Sequence, residues 1–497
     1  MIELFLIHLL LTPLAWLRRT LELRPQTYAL LMLPQAQPLL EAIARLRLRA
    51  LYLKASNDCP AYREFLREQG WTDRVPWRFE DLPLTTKENY VKRWSLEKRC
   101  FHGRLGGRGD VIDESSGSSG MPNNWVRNAR ERAETRRILQ LSYGLLYGDP
   151  NRVLLNCFAL GPWATGMNVS MSLAEVGILK SIGPDAAKLE NTLKLLGPGY
   201  RYILFGYPPF LKAFVDGCDL DLAPFTIDAV VGGEGMSEGL RRYLLKTFRT
   251  VVSAYGASDL EINVGVETEW TIALRARCAT DAALCRDLFG RDTPPMIFQY
   301  NALDYHVETT EAGTLVFTIC RDSGAAPKIR YDLKDVGGGS TFRALAKILV
   351  AHGIDPGRPV ARHACFPILF VYGRADLTVA FYGAKVYPAD FEATILGHPQ
   401  LAPAVASFQF AVVENERLDR RMAIDLELVE DAAPDALGVA AGNLGAIFYA
   451  GLAASNQDFR EVSKLFTAAA VEVTVHPCGT GPFAGADVRI KRQYVRR

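Results

Sequence analysis

Val153-Leu154-Leu155-Asn156-Cys157-Phe158 is the first of five short apolar runs between residues 150 and 254. The other four runs are Val176 to Lys180, Tyr202 to Phe205, Ile227 to Val231 and Thr250 to Ala254. They recur roughly every 25 residues with helical patterns between them, which predicts a mostly parallel sheet with helices on its faces. Ligands of such sheets bind at the carboxyl ends of the strands, so the loops after these runs are expected to form the site.

The composition is that of an ordinary soluble protein. The chain has 497 residues, of which 49% are hydrophobic and 23% are charged, and this excludes a disordered, collagenous or coiled-coil protein. Single cores stop growing at roughly 250 to 300 residues, so we expect at least two domains. The net charge is only +2, which disfavours binding to a nucleic acid.

Outside the five runs, the patterns predict helices before the sheet and a small domain after it. Residues 37–70 have helical periodicity, and Thr85-Thr86-Lys87-Glu88 is a capping box in which Thr85 accepts from the amide of Glu88. Beyond about residue 370, alternating strands at 422–428 and 471–475 suggest a separate α+β domain. The run Gly337-Gly338-Gly339-Ser340 is expected to form a turn or a flexible joint.

The cysteines and the N-terminus bear on location. The nine cysteines are scattered without a Cys-x-x-Cys pair, which gives no sign of a zinc site and is typical of a reducing, cytoplasmic compartment. Ile2 to Leu17 is almost wholly apolar and ends in Arg18-Arg19, but it is short and interrupted by Pro13. Two alternatives stay open, a helix docked over the protein's own core and a peripheral anchor on the inner membrane surface.

The strongest local signal is a Ser/Gly-rich segment before the sheet, Ser115-Ser116-Gly117-Ser118-Ser119-Gly120-Met121-Pro122. Its glycines allow backbone amides to turn inward and its hydroxyls add donors, so the segment suits phosphate oxygens. A plain Ser/Gly linker is the alternative. No Gly-Lys-Ser/Thr follows, so it is not the phosphate loop of nucleoside triphosphatases.

With Glu114, this segment resembles the phosphate loop of adenylate-forming ligases, and specifically of their phenylacetate-CoA ligase-like branch. Further family-like segments follow the order of the family over about residues 50–492. They are residues 55–64, 82–87, Gly232-Gly233-Glu234, Tyr255-Gly256-Ala257-Ser258-Asp259, residues 327–331 with Asp335, and Gly373-Arg374-Ala375-Asp376 through Gly383, Val386, Pro388 and Glu392.

The resemblance implies an α/β fold with a large N-terminal AMP-binding domain, residues 1–375, whose residues 1–100 are a helical lead-in. A smaller, mobile C-terminal α+β domain, residues 376–497, would follow. It also implies ATP, Mg2+ and either coenzyme A or phosphopantetheine as cofactors.

The resemblance assigns nucleotide contacts to several groups of residues. The ATP phosphates would be held by Ser115, Ser116, Gly117, Ser118, Ser119 and Gly120. Adenine would be framed by Gly233, Glu234, Tyr255 and Gly256, with Ser258 in the same loop. Asp335 and Arg374 would bind the ribose hydroxyls. As alternatives, Asp335 caps a turn and Tyr255 is a core residue.

Further positions would serve the two steps of the reaction. Asp259 stands where the family has a magnesium-binding glutamate, and Glu261 is a second candidate for this role. The lysine that contacts the carboxylate and the α-phosphate would be Lys491, unless Arg489 replaces it. Asp376 would be the hinge about which the small domain rotates.

The acid pocket is expected in the loops after the strands. Its candidates are Phe158, Trp163, Gly206, Tyr207 and Pro208, and the three aromatic residues among them suggest a hydrophobic or aryl carboxylate. Phe158 and Trp163 are alternatively ordinary core residues.

The function implied by the resemblance is adenylation of a carboxylate by ATP, then acyl transfer to coenzyme A or to a carrier protein. Transfer to an amine, a hydroxyl or a reductase partner, and a non-catalytic nucleotide-binding scaffold, stay open as alternatives. A homodimer is a further expectation about assembly.

Overall fold

The computed structural model describes residues 2–71, 78–115, 123–148, 152–161, 163–357, 365–374, 379–430, 437 and 441–484. Its helices are α1 Ile2–Leu21, α2 Pro25–Tyr28, α3 Gln37–Asp58, α4 Pro60–Glu68, α5 Ala129–Tyr147, α6 Ala164–Leu173, α7 Ala186–Leu196, α8 Pro208–Gly217, α9 Glu238–Leu244, α10 Glu269–Cys278, α11 Ala282–Phe289, α12 Phe342–Ala351, α13 Pro388–Gly397, α14 Leu401–Ala404, α15 Ala441–Ser455 and α16 Gln457–Val462.

The strands form one large sheet and three small ones. In chain order they are β1 Val111–Ser115, β2 Asn123–Arg127, β3 Arg152–Asn156, β4 Ile178–Ser181, β5 Arg201–Gly206, β6 Thr226–Val231, β7 Thr250–Tyr255, β8 Gly265–Val266, β9 Met296–Gln299, β10 Tyr305–Thr309, β11 Thr314–Ile319, β12 Tyr331–Ser340, β13 Ile368–Arg374, β14 Val379–Phe381, β15 Ala384–Val386, β16 Val405–Glu414, β17 Arg420–Leu428 and β18 Val471–His476.

The large sheet has eleven strands in the order β10-β11-β12-β13-β9-β8-β7-β6-β5-β3-β4. The five predicted runs are confirmed as β3 to β7, and these strands are parallel to one another. The other half of the sheet is antiparallel, so the expectation of a mostly parallel sheet is wrong there. The cause is visible at β10 and β11, which a tight turn closed by Thr310 and Gly313 joins without a crossover helix.

Five apolar cores are formed by the described residues, and the three largest stabilise most of these elements. One lies between the parallel strands and helices such as α7, α8 and α9, and includes Leu155, Ile203 and Phe214. A second joins α3 and α4 to the antiparallel half of the sheet. A third consists of residues from 381 onward, around Phe391 and Phe410, whose rings are 4.1 Å apart. The α/β fold with a small α+β region near its C-terminus is therefore confirmed, whereas the boundary at residues 375/376 stays a prediction.

The Gly337-Gly338-Gly339-Ser340 run is not a joint, which corrects the expectation. It lies inside β12, where Gly338 pairs with Phe370 of β13. A Cβ on Gly337 would lie 2.0 Å from the carbonyl oxygen of Phe370, and one on Gly338 would lie 2.5 Å from its ring. Glycine is therefore required here by close packing within a strand.

The capping box before the π-helical turn Lys87–Val91 is shifted by one residue from the predicted position. Thr86, not Thr85, accepts from the amide of Asn89, whose side chain accepts from the amide of Thr86. Thr85 instead bonds with Ile329 and forms a bridge to Tyr331. The cap begins a π-helical turn, Lys87–Val91, and the bridge attaches it to the start of β12.

The N-terminal helix α1 docks on the protein through one face only. It packs against α3, and Ile7 is its buried residue, while Phe5, Leu9 and Trp16 are exposed. Covering the protein's own core therefore accounts for only part of its apolar composition. Among the described residues, α1 is the one helix long and apolar enough to span a membrane by length and composition.

Candidate active site

A cavity of about 510 Å³ opens at the carboxyl ends of the parallel strands. One wall consists of the segments that follow β3, β6 and β7, including Trp163, residues 233–235 and residues 255–258. The opposite wall belongs to the C-terminal region, with β14, β15 and α16. The cavity thus lies where the loops after the parallel strands were expected to form the site.

Asp335 and Arg374 face each other in the cavity wall. They are direct partners in the antiparallel pair β12–β13, and Arg374 Nη1 donates to Asp335 Oδ1 over 3.0 Å. The hydroxyl of Tyr255 donates to Asp335 Oδ2 over 2.5 Å. The structure thus brings together three predicted nucleotide-binding residues, and both carboxylate oxygens of Asp335 are oriented by them.

The ring of Tyr255 packs against two other aromatic rings. Its ring lies 5.4 Å from that of Phe298 and 6.0 Å from that of Phe317, both tilted by about 30°. Burial raises the pKa of its hydroxyl well above the ordinary value, and the neighbouring Asp335 carboxylate adds to this effect. Tyr255 is therefore a neutral hydrogen-bond donor that also lines the cavity.

Gly256 and Ser258 close the loop after β7. A Cβ on Gly256 would lie 2.3 Å from backbone atoms of Ile262, so only glycine fits this close approach. The carbonyl of Ser258 accepts from Arg127 Nη2 over 2.6 Å. Both residues line the cavity, and both are also needed to hold the loop in place.

Gly233 and Glu234 follow β6, and Glu234 contacts the C-terminal region. Gly233 has φ of +84°, and a Cβ there would lie 2.8 Å from the Tyr207 ring. The Glu234 side chain is fully buried and lies 3.3 Å from Arg420 Nη1. Burial raises the pKa of Glu234 to about 7, although Arg420 and the amide of Gly383 act against the shift.

Asp259 is buried next to the cavity wall rather than in it. Trp125 Nε1 donates to its Oδ1 over 3.1 Å, and the Tyr331 hydroxyl donates to its Oδ2 over 2.9 Å. Both donors orient the carboxylate. Tyr331 belongs to the 327–331 segment, whose contribution to the site is thus to position Asp259.

Glu261 does not line this cavity. It makes a buried ion pair with Arg321 and accepts a hydrogen bond from Tyr305. Within the described ranges, no group of three His, Cys, Asp or Glu residues could hold a metal ion. Of the residues that the structure describes, at most two carboxylates could therefore meet one metal ion.

Lys87 lies close to charged residues of the candidate site, and the sequence reasoning assigned it no role there. Burial lowers the pKa of its ammonium, Asp259 acts against this, and the nearby Lys385 and Arg374 lower it further. Two of these partners, Lys385 and Arg374, line the cavity, whereas Lys87 itself does not. Its position directly after the capping threonine, in a family-like segment, was the one available signal.

The predicted acid-pocket residues divide into two groups. Trp163 and Tyr207 line the cavity. The other three candidates, Phe158, Gly206 and Pro208, do not line the cavity and lie behind its wall. The Phe158 ring packs edge-on against the Tyr207 ring, with 5.1 Å between the ring centres. Gly206 ends β5, and Pro208 begins α8.

Tyr207 also contacts the C-terminal region directly. Gly383 lies in the turn between β14 and β15 with φ of +87°, and a Cβ there would lie 2.3 Å from the Tyr207 ring. Gly383 therefore permits a close approach between the two walls of the cavity.

The Ser/Gly-rich segment connects two paired strands. Ser115 ends β1 and pairs with Asn123 of β2, and the neighbouring Glu114 pairs with Trp163 of the cavity wall. Residues 116–122 lie outside the described residues, and with them Ser116, Gly117, Ser118, Ser119 and Gly120. The same holds for Asp376, Arg489 and Lys491.

Arg127, just after this segment, is saturated by protein groups. It pairs with Asp113 at 3.3 Å and with Glu131 at 3.1 Å, in addition to its bond to Ser258. Its guanidinium therefore stabilises the loop after β7.

Comparison with known proteins agrees with this geometry. No family model matches the chain. The chain is 24% identical over 404 residues to a phenylacetate-coenzyme A ligase of Thermus thermophilus, which covers 77% of this chain and 82% of that protein. The fold is similar to that of a crystal structure of 2-hydroxyisobutyryl-CoA ligase in complex with 2-HIB-AMP and CoA in the thioesterification state. The two structures superpose with a TM-score of 0.62 at 13% sequence identity, over 93% of this chain and 90% of that chain.

The chain therefore has the fold of the adenylate-forming ligases and is similar in sequence to their phenylacetate-CoA ligase-like branch, which confirms the resemblance drawn from its motifs.

Proposed function

We propose that this protein is an AMP-forming acid–thiol ligase, which activates a carboxylic acid with ATP and transfers the acyl group to a thiol. The observation that carries the proposal is the pairing of Asp335 with Arg374 in the wall of a large cavity, in a chain with the fold of a CoA ligase. A carboxylate with both oxygens oriented by donors can accept from the two hydroxyls of a ribose.

In the first step, a carboxylate oxygen of the acid attacks the α-phosphorus of ATP. A bond forms between that oxygen and the phosphorus, the bond to the β-phosphate oxygen breaks, and pyrophosphate leaves. Asp335 and Arg374 hold the ribose, and Tyr255 and Gly256, with Gly233, Glu234 and Ser258, frame the adenine. The Ser115 to Gly120 segment contacts the phosphates.

Asp259 suits a magnesium ion that arrives with the nucleotide. Mg²⁺ sites in nucleotide enzymes usually combine one or two carboxylates with phosphate oxygens and water. Asp259 supplies one ordered carboxylate beside Ser258 of the cavity wall. When bound, the ion would neutralise charge that develops on the phosphates.

Cationic side chains would also neutralise the charge that develops on the phosphates. We assign to Lys491 the contact with the acid and the α-phosphate, with Arg489 as its substitute. Lys87 is a second cation for this purpose, because it lies near Asp259, Lys385 and Arg374. Preorganised charge of this kind is usually the largest single contribution to catalysis.

In the second step, a thiolate attacks the acyl carbon of the adenylate, the bond to the phosphate oxygen breaks, and AMP leaves. Rotation of the small domain about Asp376 would remove Lys491 and bring the β14–β15 turn to the cavity. The contact between Gly383 and Tyr207 supports a position of the small domain that suits this second step.

The acid is assigned to a hydrophobic or aryl class. Trp163 and Tyr207 line the cavity together with Met296, Phe298 and Val371. Apolar pockets of this kind favour apolar acyl groups, although each methylene changes binding by only about 1 to 3 kcal/mol.

Coenzyme A is the acceptor we favour, with a carrier-protein phosphopantetheine arm as its substitute. A cytoplasmic location is supported by the nine cysteines, all of which are free thiols. Assembly as a homodimer and a contact with the membrane surface through residues 1–19 are further parts of the proposal.

The test is to incubate the protein with ATP, Mg²⁺, coenzyme A and a panel of acids, and to measure nucleotides and free thiol. We expect acid-dependent formation of AMP rather than ADP, with equal loss of thiol. If hydroxylamine traps an adenylate but thiol is not consumed, the acceptor is an amine, a hydroxyl or a reductase partner. Nucleotide binding without any AMP would instead point to a scaffold.

A further inference from the structure

The outer face of α1 is an apolar surface. The exposed fraction is 79% for Ile2, 67% for Phe5, 63% for Leu9 and 70% for Trp16. About half of the exposed large apolar side chains of the described residues lie within the first 39 residues. Soluble proteins rarely expose so many apolar side chains together unless the surface binds something.

The inner face of α1 is held to the body along the length of the helix. Glu3 pairs with Arg49 at 2.8 Å, and His8 pairs with Asp322 at 2.7 Å. Near the end of the helix, Arg18 donates to both carboxylate oxygens of Asp304, at 2.8 and 2.6 Å. These contacts fix α1 flat against the protein, so its outer face points away as a unit.

The charges next to this outer face are positive. Glu3 and Glu22 are the only acidic residues before residue 37, and both are paired, Glu22 with Arg18 and Arg137. Arg19 and Arg24 are exposed and make no ion pair with a described residue. The surface therefore combines apolar side chains with unopposed cationic ones.

We propose that the outer face of α1 docks this protein on a phospholipid bilayer that contains anionic headgroups. Helices that lie in the membrane interface combine Leu, Phe and Trp on one face with Lys or Arg at its edge. Trp16 lies near Arg19, as expected for an aromatic side chain at headgroup depth. Because polar side-chain contacts hold α1 to the protein at three points, the helix lies in the plane of the membrane instead of crossing it.

A second copy of the chain or another protein is the competing occupant. Against it stand the cationic edge of this face, which matches anionic lipid headgroups, and the pairing of Glu3, the one acidic residue of the helix, with Arg49. The proposal goes beyond the ligase reaction, since it concerns where the enzyme works, and it holds or fails independently of the acid and of the acceptor.

The test is co-sedimentation of the full-length protein with sucrose-loaded vesicles of phosphatidylcholine, with and without phosphatidylglycerol. We expect binding that is stronger on the anionic vesicles. The double variant Leu9→Ser/Leu10→Ser removes two leucines of this face that are 63% and 58% exposed. It should lower the partition constant by about tenfold for each leucine removed. Arg19→Ser/Arg24→Ser should abolish the preference for the anionic vesicles.

The matched control is Leu195→Ser/Leu396→Ser, which removes two leucines that are 77% and 73% exposed elsewhere on the surface. This variant should bind vesicles like the wild type. No binding by the wild type, or an equal loss in the control variant, would overturn the proposal. Light scattering could instead show a dimer of the wild type that Leu9→Ser/Leu10→Ser dissociates. If the wild type also fails to bind vesicles, the occupant of this face is a second copy of the chain and not a membrane.

Discussion

Asp335 and Arg374 lie directly opposite each other across β12 and β13, with 3.0 Å between Asp335 Oδ1 and Arg374 Nη1. The pairing joins two segments that are 39 residues apart in the chain. It also orients a carboxylate toward the cavity, and the proposed nucleotide site depends on it.

Substitution of Asp335 by asparagine should weaken ATP binding. The amide cannot accept from both ribose hydroxyls and leaves Arg374 without its counter-charge. Since a hydrogen bond to a charged group contributes about 1.5 to 3 kcal/mol, we expect the Kd for ATP to rise about 10- to 100-fold. Calorimetric titration measures it.

The control is Asp292→Asn, which breaks an exposed ion pair with Arg286. It should leave the Kd for ATP unchanged. An unaltered Kd in the Asp335 variant would remove the ribose assignment.

Substitution of Gly383 by alanine should separate the two half-reactions. The new Cβ would lie 2.3 Å from the Tyr207 ring, so the β14–β15 turn could not approach the cavity as it does here. Thioester formation should fall by at least about tenfold, because a clash with a buried ring costs about 1 to 3 kcal/mol. Pyrophosphate exchange should be retained.

Gly479→Ala is the matched control, because Gly479 also has a positive φ, of +69°, but no atom lies within 4 Å of a Cβ placed there. It should leave both half-reactions intact. Equal losses of exchange and thioester formation in the Gly383 variant would contradict the assignment of this contact to the second step.

Glu234 should give stability a specific dependence on pH. Its pKa is about 7 in the folded protein, raised chiefly by burial from an ordinary value of 4.5. The folded state therefore binds the proton more tightly, and the contribution of Glu234 to stability is greatest below pH 4.5 and is lost as the pH rises to about 7. Glu234→Gln removes this titration.

The stability of the wild type relative to Glu234→Gln should accordingly fall between pH 4.5 and 7. The change should reach a few kcal/mol, since one pKa unit corresponds to about 1.4 kcal/mol. Denaturant unfolding at several pH values measures it. A constant difference between the two proteins would show that Glu234 titrates as an exposed carboxyl.

Lys87→Met should slow adenylation by about tenfold or more, because it removes a cation beside Asp259 and Arg374. The quantity to follow is the maximal rate of pyrophosphate exchange. Lys92→Met removes a lysine from the same segment whose partner is the exposed Glu88, and should be neutral. Unchanged exchange in the Lys87 variant would limit that residue to a structural role.

Lys491→Ala should abolish adenylation but spare transfer from a supplied acyl-adenylate. The reason is that Lys491 is assigned to the charge that develops on the α-phosphate during the first step alone. Retained adenylation in this variant, lost on further substitution of Arg489, would transfer the role to that arginine.

Much of the fold could be predicted because its strands are local apolar runs. β3 to β7, β17 and β18 each begin and end within a few residues of their predicted positions. The antiparallel half of the sheet escaped prediction because its pairings, such as β13 with β9, depend on distant segments. The glycine run in β12 was misjudged for the same reason, since Phe370 that packs on it lies about 30 residues away.

The candidate site was predictable where motifs carried it. Asp335, Arg374 and Tyr255 followed from the order of the segments, but their mutual contacts could not be read from the chain. Conversely, Phe158 and Pro208 are in the expected loops yet lie behind the cavity wall. A loop position indicates an edge of the sheet, and packing decides which side chains reach the cavity.

The measurement that tests the central claim most directly is ATP–pyrophosphate exchange across aryl, medium-chain and long-chain carboxylic acids. The proposed function predicts exchange that requires an acid, is strongest for a hydrophobic or aryl one, and falls in the Asp335 variant. If the protein still binds ATP or AMP but none of the acids in the panel supports exchange, the proposed function is contradicted.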